Sequence, residues 1–169
     1  MVGIDAVKLI EWPRYSDQRG YFAETFKPSY LEGVFLQDNE SESSKGVIRG
    51  LHYQPGMGKL MRVVRGSAYL VALDLRRYSI TFGEHVGVVL TEQDPAALWA
   101  PAEFARGFQA LTDNTKICYK CTAVYSQKDE GAIRWDSAGI VWPLSPTIIS
   151  AKDREAPTLD DYRRNPKFF

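Results

Sequence analysis

Among its 169 residues the chain has only two histidines and two cysteines, and Lys plus Arg balance Asp plus Glu at 21 each. A neutral balance excludes the broad electropositive surface that would hold nucleic acid or an anionic membrane, so neither is expected as a partner and any anion site has to be local. No apolar run approaches the ~20 residues needed to span a bilayer. The opening "MVGIDAVKLIEW" carries acidic residues where a signal peptide would be basic and then apolar. The expectation is a cytoplasmic protein. A sustained 3.6-residue apolar period, an internal repeat and a low-complexity linker are also missing. One domain over residues 1–169 is long enough to bury a sizeable core without disulfide or metal staples.

The two cysteines, Cys118 and Cys121, form a C-x-x-C within "ICYKCTAVY". The β-branched and aromatic neighbours favour a strand, and residues i and i+3 of a strand face opposite sides. Two reduced, structural thiols are expected, not a redox or zinc motif.

What the chain does have is short apolar segments about ten residues apart: "KLMRVVRG", "AYLVALDL", "HVGVVL", "AALWAP", "GFQALTDN" and "KICYKCTAVY", with Gly, Pro, Asp and Asn between them. This spacing predicts an all-β fold, and a double-sheet jelly roll of cupin type suits a domain with an interior cavity. Short helices are expected only near "PSYLEG" and "TLDDYRR". The polar C-terminal tail, 143–169, must pack back on the barrel or cover a neighbour. An N-terminal segment joining a partner's sheet would hide an open edge.

Cupin barrels often hold a metal through G-x5-H-x-H and a later P-x-G-x-x-H. Here Gly46 and His52 fit the first pattern, but Gln54 stands at its second histidine. In "PAEFAR" Glu103 and Arg106 replace the Gly and His of the second. A guanidinium has no lone pair to donate, so no metal site and no cofactor are expected. Any chemical role for His52 is then acid–base.

The segments "DQRGYFAETF", "FLQDNESESSKGVIRGLHYQ", "GKLMRVVRGSAYLVALDLRRYSITFGE", "LWAPAEFARGFQAL", "YKCTAVYS" and "ISAKDREAP" together resemble the dTDP-4-dehydrorhamnose 3,5-epimerase family, co-linearly from about residue 15 to 157. The resemblance implies a metal-free homodimeric jelly roll acting on a nucleotide-linked 4-keto-6-deoxyhexose, most simply a dTDP-sugar. It implies His52 as base, Asp153 as its carboxylate partner, Tyr125 as the acid on the opposite face and Lys59 as the cation near the enolate oxygen. It further implies Arg49 at the diphosphate and Gln37 and Asn39 around sugar and phosphate. Arg106 and Tyr119 fall at other substrate positions, and Arg19, Phe22 and Glu24 would reach the nucleotide from the partner subunit.

The chemistry accounts for these residue types. A C4 ketone acidifies the hydrogens on C3 and C5, and epimerisation needs a base on one face, an acid on the other and a donor or cation at the oxygen. Taken singly each residue has a plainer reading: a hydrogen-bonded core histidine for His52, a half-buried strand aromatic for Tyr125, a helix cap or turn after Ser150 for Asp153, a surface lysine for Lys59, and dimer packing for Phe22. Regular alternation would put Arg49 and His52 on opposite faces, so a bulge or kink is expected at Gly50.

The chain departs from the family pattern in three places. The segment between His52 and Lys59 is short, Leu70 stands at a commonly acidic position, and P-x-G-F-A-H-G-F appears as "PAEFARGF". Arg106 either crowds the cavity, restricting epimerisation to one carbon or favouring an altered sugar, or turns away to pair with Glu103. The competing functions are a related keto-isomerase and a non-catalytic sugar-nucleotide binder.

Overall fold

Within Ser67–Asp74, Ala68, Leu70 and Ala72 point one way while Tyr69, Val71 and Leu73 point the other, and both sets pack into apolar clusters. A strand apolar on both faces needs cover on both, and the rest of the chain supplies it. The computed structural model describes residues 4–168. Its strands are β1 (Lys8–Glu11), β2 (Arg14–Asp17), β3 (Gly20–Ala23), β4 (Gln37–Ser43), β5 (Ile48–Tyr53), β6 (Lys59–Arg65), β7 (Ser67–Asp74), β8 (His85–Thr91), β9 (Ala96–Ala100), β10 (Phe104–Ala110), β11 (Thr115–Cys121) and β12 (Gly131–Ala132). Two short helices follow, α1 (Ala151–Arg154) and α2 (Leu159–Arg164).

Two five-stranded antiparallel sheets, in the orders β1-β9-β6-β11-β4 and β12-β5-β10-β7-β8, form the cupin-like jelly roll, and β2-β3 stands apart as a hairpin. Between the sheets lie Met61, Val63, Leu70, Leu98, Phe108 and Ile117. The outer side of the second sheet, with Leu51, Val71, Leu73 and Ile133, is covered by Ile140, Leu159, Tyr162 and Phe168. The C-terminal tail therefore packs back on its own barrel. Burying each such large side chain contributes about 1.5–3 kcal/mol. Tyr162 is further fixed because its hydroxyl donates to the Leu75 carbonyl at 3.2 Å and accepts from the Lys167 amide at 3.0 Å.

The expected helix at "TLDDYRR" is α2, opened by a capping box between Thr158 and Asp161. The one expected at "PSYLEG" is a turn, closed by Tyr30 N–H on the Lys27 carbonyl at 2.9 Å. Six residues between Pro28 and Gly33 are too few to repay helix nucleation. Strand β11 ends at Cys121, so Tyr125 lies beyond it on a loop and is no strand aromatic. Both cysteines are free, Cys121 buried and Cys118 on the opposite face. In this single chain β1 pairs with β9 along the edge of its own sheet.

Candidate active site

The site begins with a break in the ladder between β5 and β10. His52 lies opposite Arg106 and Arg49 opposite Phe108, so two residues, Gly50 and Leu51, face one, Gly107. This is the bulge expected at Gly50, and it turns Arg49 and His52 onto one cavity. Gly50 has φ +128°, and a Cβ there would come within 2.7 Å of Gly107 Cα. A Cβ on Gly107 would meet the Arg49 carbonyl oxygen at 2.7 Å.

The bulge also frees the Gly50 N–H, which donates to Asp153 Oδ2 at 3.2 Å. The other carboxylate oxygen lies 2.6 Å from His52 Nε2. Asp153 is the third residue of α1, where its own N–H donates to the Ser150 hydroxyl that caps the helix. Its backbone thus fills the capping role while its side chain holds His52. Burial works to raise the Asp153 carboxyl, but the hydrogen bond and charge of His52, helped by Gly50 and Ser150, outweigh it and hold the group below the usual carboxylate range. A carboxylate that accepts the Nε2 proton leaves Nδ1 with the imidazole lone pair.

His52 and Asp153 line a cleft of about 500 Å³ together with Lys59, Arg49, Arg106 and Tyr119. Lys59 sits with its ammonium 4.9 Å from the centre of the Tyr119 ring. Burial, reinforced by the charge of Arg106, pushes the Lys59 amine down to about 8. Arg49 is oriented by its Nε–H to Ser43 Oγ at 2.9 Å and by the Glu42 carbonyl at 3.0 Å.

Arg106 is buried, and its hydrogen bonds go to backbone carbonyls and not to Glu103. Its Nη1 donates to the Phe104, Pro101 and Ala102 carbonyls and its Nη2 to the Met57 carbonyl. Both arms of the fork are tied to backbone. Burial lowers the guanidinium to about 10.

Tyr125 is half-exposed and does not line this cleft. Its hydroxyl donates to Glu130 Oε2 at 2.8 Å, and the same carboxylate takes the ion pair of Lys152, which does line the cleft. The hydrogen bond to Glu130 raises the Tyr125 phenol. Burial works to raise the Glu130 carboxyl, but Lys152, Tyr125 and the His52 charge together hold it low. Glu130 and Lys152 are pairings that sequence reasoning missed: a contact across 22 residues leaves no periodic or spacing signal.

Gln37 and Asn39 do not line this cleft, and Asn39 lines a second pocket with Arg62, Cys118 and Lys120. Gln37 Nε2 donates to Asn39 Oδ1 at 2.9 Å, and Gln37 Oε1 accepts the Tyr125 N–H at 2.8 Å. Arg19, Phe22 and Glu24 lie away from the cleft on and beside the β2–β3 hairpin. Arg19 pairs with Asp17, Glu24 with Lys27, and Phe22 is 66% exposed. Leu70, at the commonly acidic position, is fully buried in the inter-sheet core. Among the described residues no three His, Cys, Asp or Glu side chains are grouped so as to hold a metal ion, and no helix is long and apolar enough to cross a membrane.

Comparison with known proteins points to one family. A family profile described as dTDP-4-dehydrorhamnose 3,5-epimerase matches residues 2–161. The chain is 44% identical to the dTDP-4-dehydrorhamnose 3,5-epimerase of Methanothermobacter thermautotrophicus, over 98% of this chain and 94% of the relative. It is 41% identical to that of Salmonella typhimurium, over 93% and 92%. The crystal structure of the Legionella pneumophila dTDP-6-deoxy-D-glucose-3,5-epimerase in complex with dTDP-4-keto-L-rhamnose superimposes with a TM-score of 0.89 at 39% identity, covering 94% of this chain and 90% of that one.

Proposed function

Since the chain belongs to the dTDP-4-dehydrorhamnose 3,5-epimerase family, we propose that it inverts C3 and C5 of dTDP-4-keto-6-deoxyglucose by removing a proton on one face and returning one on the other. It is an isomerase of the carbohydrate epimerase class. The observation that carries the reading is the 2.6 Å contact between His52 and a buried Asp153 at the wall of a cleft that also holds Lys59.

In this reading His52 Nδ1 takes the C–H proton, and Asp153 stabilises the imidazolium that results. The electron pair of the broken bond moves onto the C4 oxygen as an enolate, beside the Lys59 ammonium. A phenol then gives its proton to the opposite face of the same carbon, and this role falls to Tyr119, which lines the cleft beside Lys59, in place of Tyr125, which is half-exposed and outside the cleft lining. The phenolate is reprotonated from water, and His52 returns its proton to water. Each inversion thus leaves the enzyme's proton count unchanged. Arg49 binds the diphosphate by its fork, with Tyr119 beside the sugar. With both arms of Arg106 held on carbonyls, its charge supports the enolate without filling the space between His52 and either carbon.

The enzyme works as a homodimer in the cytoplasm. The exposed hairpin residues Arg19 and Phe22, with Glu24 beside them, serve the partner's nucleotide site. The exposure of Tyr15, Tyr21 and Phe22 on this hairpin supports that use.

Incubation with dTDP-4-keto-6-deoxyglucose in deuterated water tests the proposal. Deuterium should appear at C3 and C5 and the product should be reducible by a rhamnose-forming 4-ketoreductase. A migrated carbonyl would instead identify a keto-isomerase, and absence of label a binding protein.

A further inference from the structure

Arg106 sits where three parts of the site meet. On β10 it lies directly opposite His52 of β5. Its fork reaches two separate stretches of backbone: Nη2 donates to the Met57 carbonyl in the β5–β6 loop, and Nη1 to the Pro101, Ala102 and Phe104 carbonyls at the β9–β10 turn. Four carbonyls thus converge on one buried cation. A histidine at this position would present two N–H donors at most.

The loop so held is residues 54–58, and Lys59 follows it directly. The loop is tied on its other flank as well. The Thr122 hydroxyl accepts the Gly58 N–H at 2.8 Å and donates to the Gly56 carbonyl at 2.9 Å. A Cβ on Gly58 would come within 2.3 Å of the Trp99 ring, so there is no clearance on that side. Lys59 then enters β6 opposite Ala100 of β9 and Cys121 of β11. Its ammonium rests over the Tyr119 ring, 4.9 Å from the centre, a contact without the directionality of a hydrogen bond. Its position therefore depends on the backbone that carries it.

We infer that Arg106 is a positioning residue: by clamping the Met57 carbonyl to the carbonyls of the β9–β10 turn, it sets the place of the Lys59 ammonium relative to the His52 base. This rests on the assignment of Lys59 to the enolate oxygen. Two departures from the family pattern, the short segment before Lys59 and the arginine in place of histidine, then form one device. A shorter loop is met by a longer side chain.

Clamp and charge are separable. The groups facing Lys59 are Arg106 from β10, Tyr119 and Cys121 from β11, and Glu130 next to β12; of these Arg106 alone is a cation. A lysine at 106 keeps that charge but is a point donor that cannot bridge two segments, whereas a methionine loses both.

The test compares Arg106→Lys and Arg106→Met. Turnover and deuterium wash-in are measured with dTDP-4-keto-6-deoxyglucose across pH. The Lys59 side chain is followed by NMR of lysine labelled at Cε, its resonance assigned by its loss in Lys59→Met. The Tyr119 ring should hold this resonance upfield in the parent, and in both variants it should return toward that of a free lysine. Misplacement by about 1 Å costs on the order of 10²-fold in a step that depends on alignment, so kcat should fall by about that factor in Arg106→Lys. Wash-in and inversion should fall together, because both need the enolate, with KM little changed. The alkaline limb should rise more in Arg106→Met, where the like charge is gone, than in Arg106→Lys. In a Lys59→Met background Arg106→Lys should lower kcat little further. With Lys59→Met itself impaired, parent-like kcat in Arg106→Lys overturns the inference, as does an unmoved Lys59 resonance in that variant. If Lys59→Met leaves kcat intact while Arg106→Lys still moves the resonance, the positioning stands and the role of Lys59 at the enolate oxygen falls. Arg106→Lys decides the matter even where Arg106→Met does not fold.

Discussion

Lys59 offers the sharpest quantitative test, because the fold alters its charge and the proposed mechanism needs that charge. Burial and the nearby Arg106 take the amine from an ordinary 10.5 to about 8. At pH 7 about nine-tenths of the molecules then carry the ammonium, and at pH 9 about one-tenth do. If the ammonium stabilises the enolate, kcat/KM should fall about tenfold per pH unit above 8. Burial lowers Arg106 only to about 10 and raises the Tyr119 phenol above its ordinary 10, so neither supplies a limb near 8. Lys59→Arg, with a guanidinium that stays charged, should move the limb beyond pH 10 while keeping part of the activity.

The same displacement has a stability side. The unfolded chain holds this proton more tightly than the folded one, so the stabilities converge on the uncharged form only as pH rises from 8 to 10.5. Below 8 the buried ammonium costs on the order of 3 kcal/mol. Lys59→Met should therefore unfold at a higher temperature than the parent at pH 7, with the difference shrinking by pH 10, while kcat drops by about 10²–10³-fold. A pH–rate profile flat to pH 10, or one whose limb is the same in Lys59→Arg, would falsify the assignment of the charge to the enolate oxygen. A Lys59→Met protein less stable than the parent would show that the burial cost has been misjudged.

Three other outcomes follow from the same geometry. His52→Asn should lower exchange by about 10²-fold or more with nucleotide affinity kept, since loss of a general base acts on the barrier and not on binding; isothermal titration with dTDP beside the deuterium assay checks both. In Tyr119→Phe, wash-in with retained configuration should exceed inversion, and NMR of the labelled sugar would contradict the two-face division if both fell equally; Tyr125→Phe, outside the cleft lining, should leave the ratio of the two unchanged. For Arg106, label should enter at both C3 and C5 in the parent enzyme, because the guanidinium fork is tied to the carbonyls of Met57, Pro101, Ala102 and Phe104. Label at one carbon that spreads to both in Arg106→His would show instead that the arginine narrows the reaction.

Much of this arrangement is written locally. The strand pattern follows from alternation, and the opposite facing of Cys118 and Cys121 follows from their spacing on a strand. The bulge at Gly50 follows from requiring Arg49 and His52 to share a cavity. Resemblance, not local pattern, pairs His52 with Asp153, since the two stand 101 residues apart. Other features were out of reach for stated physical reasons. Helix α1 spans four residues, too few for a periodic signal. A helix cap or turn after Ser150 was legible for Asp153, but not that Ser150 itself is the cap and that the helix turns Asp153 toward β5. "PSYLEG" has helix-tolerant residues yet no room to nucleate. Strand-like composition carries on past Cys121, and only tertiary hydrogen bonds from Gln37 and Gln54 decide that Tyr125 belongs to a loop. The alternatives for Arg106 were a crowded cavity or a pair with Glu103. The carbonyl cluster that takes the side chain comes from the β5–β6 loop, the β9–β10 turn and the first residue of β10.

The crossing of Gly50 and Gly107 has a consequence for how this enzyme can vary. Each glycine occupies the space that the other's side chain would need, and each faces backbone, which cannot yield as a flexible side chain can. No order of single replacements opens a route to a larger pair, because enlarging either residue collides with the partner strand whatever the other has become. In a saturation library the two positions should therefore be as intolerant as His52 and Asp153 although neither brings a side chain to the reaction. A map of mutational tolerance read without the coordinates would count them as chemistry, when what they record is the clearance between two backbones that lets Asp153 reach a peptide N–H and a histidine at once.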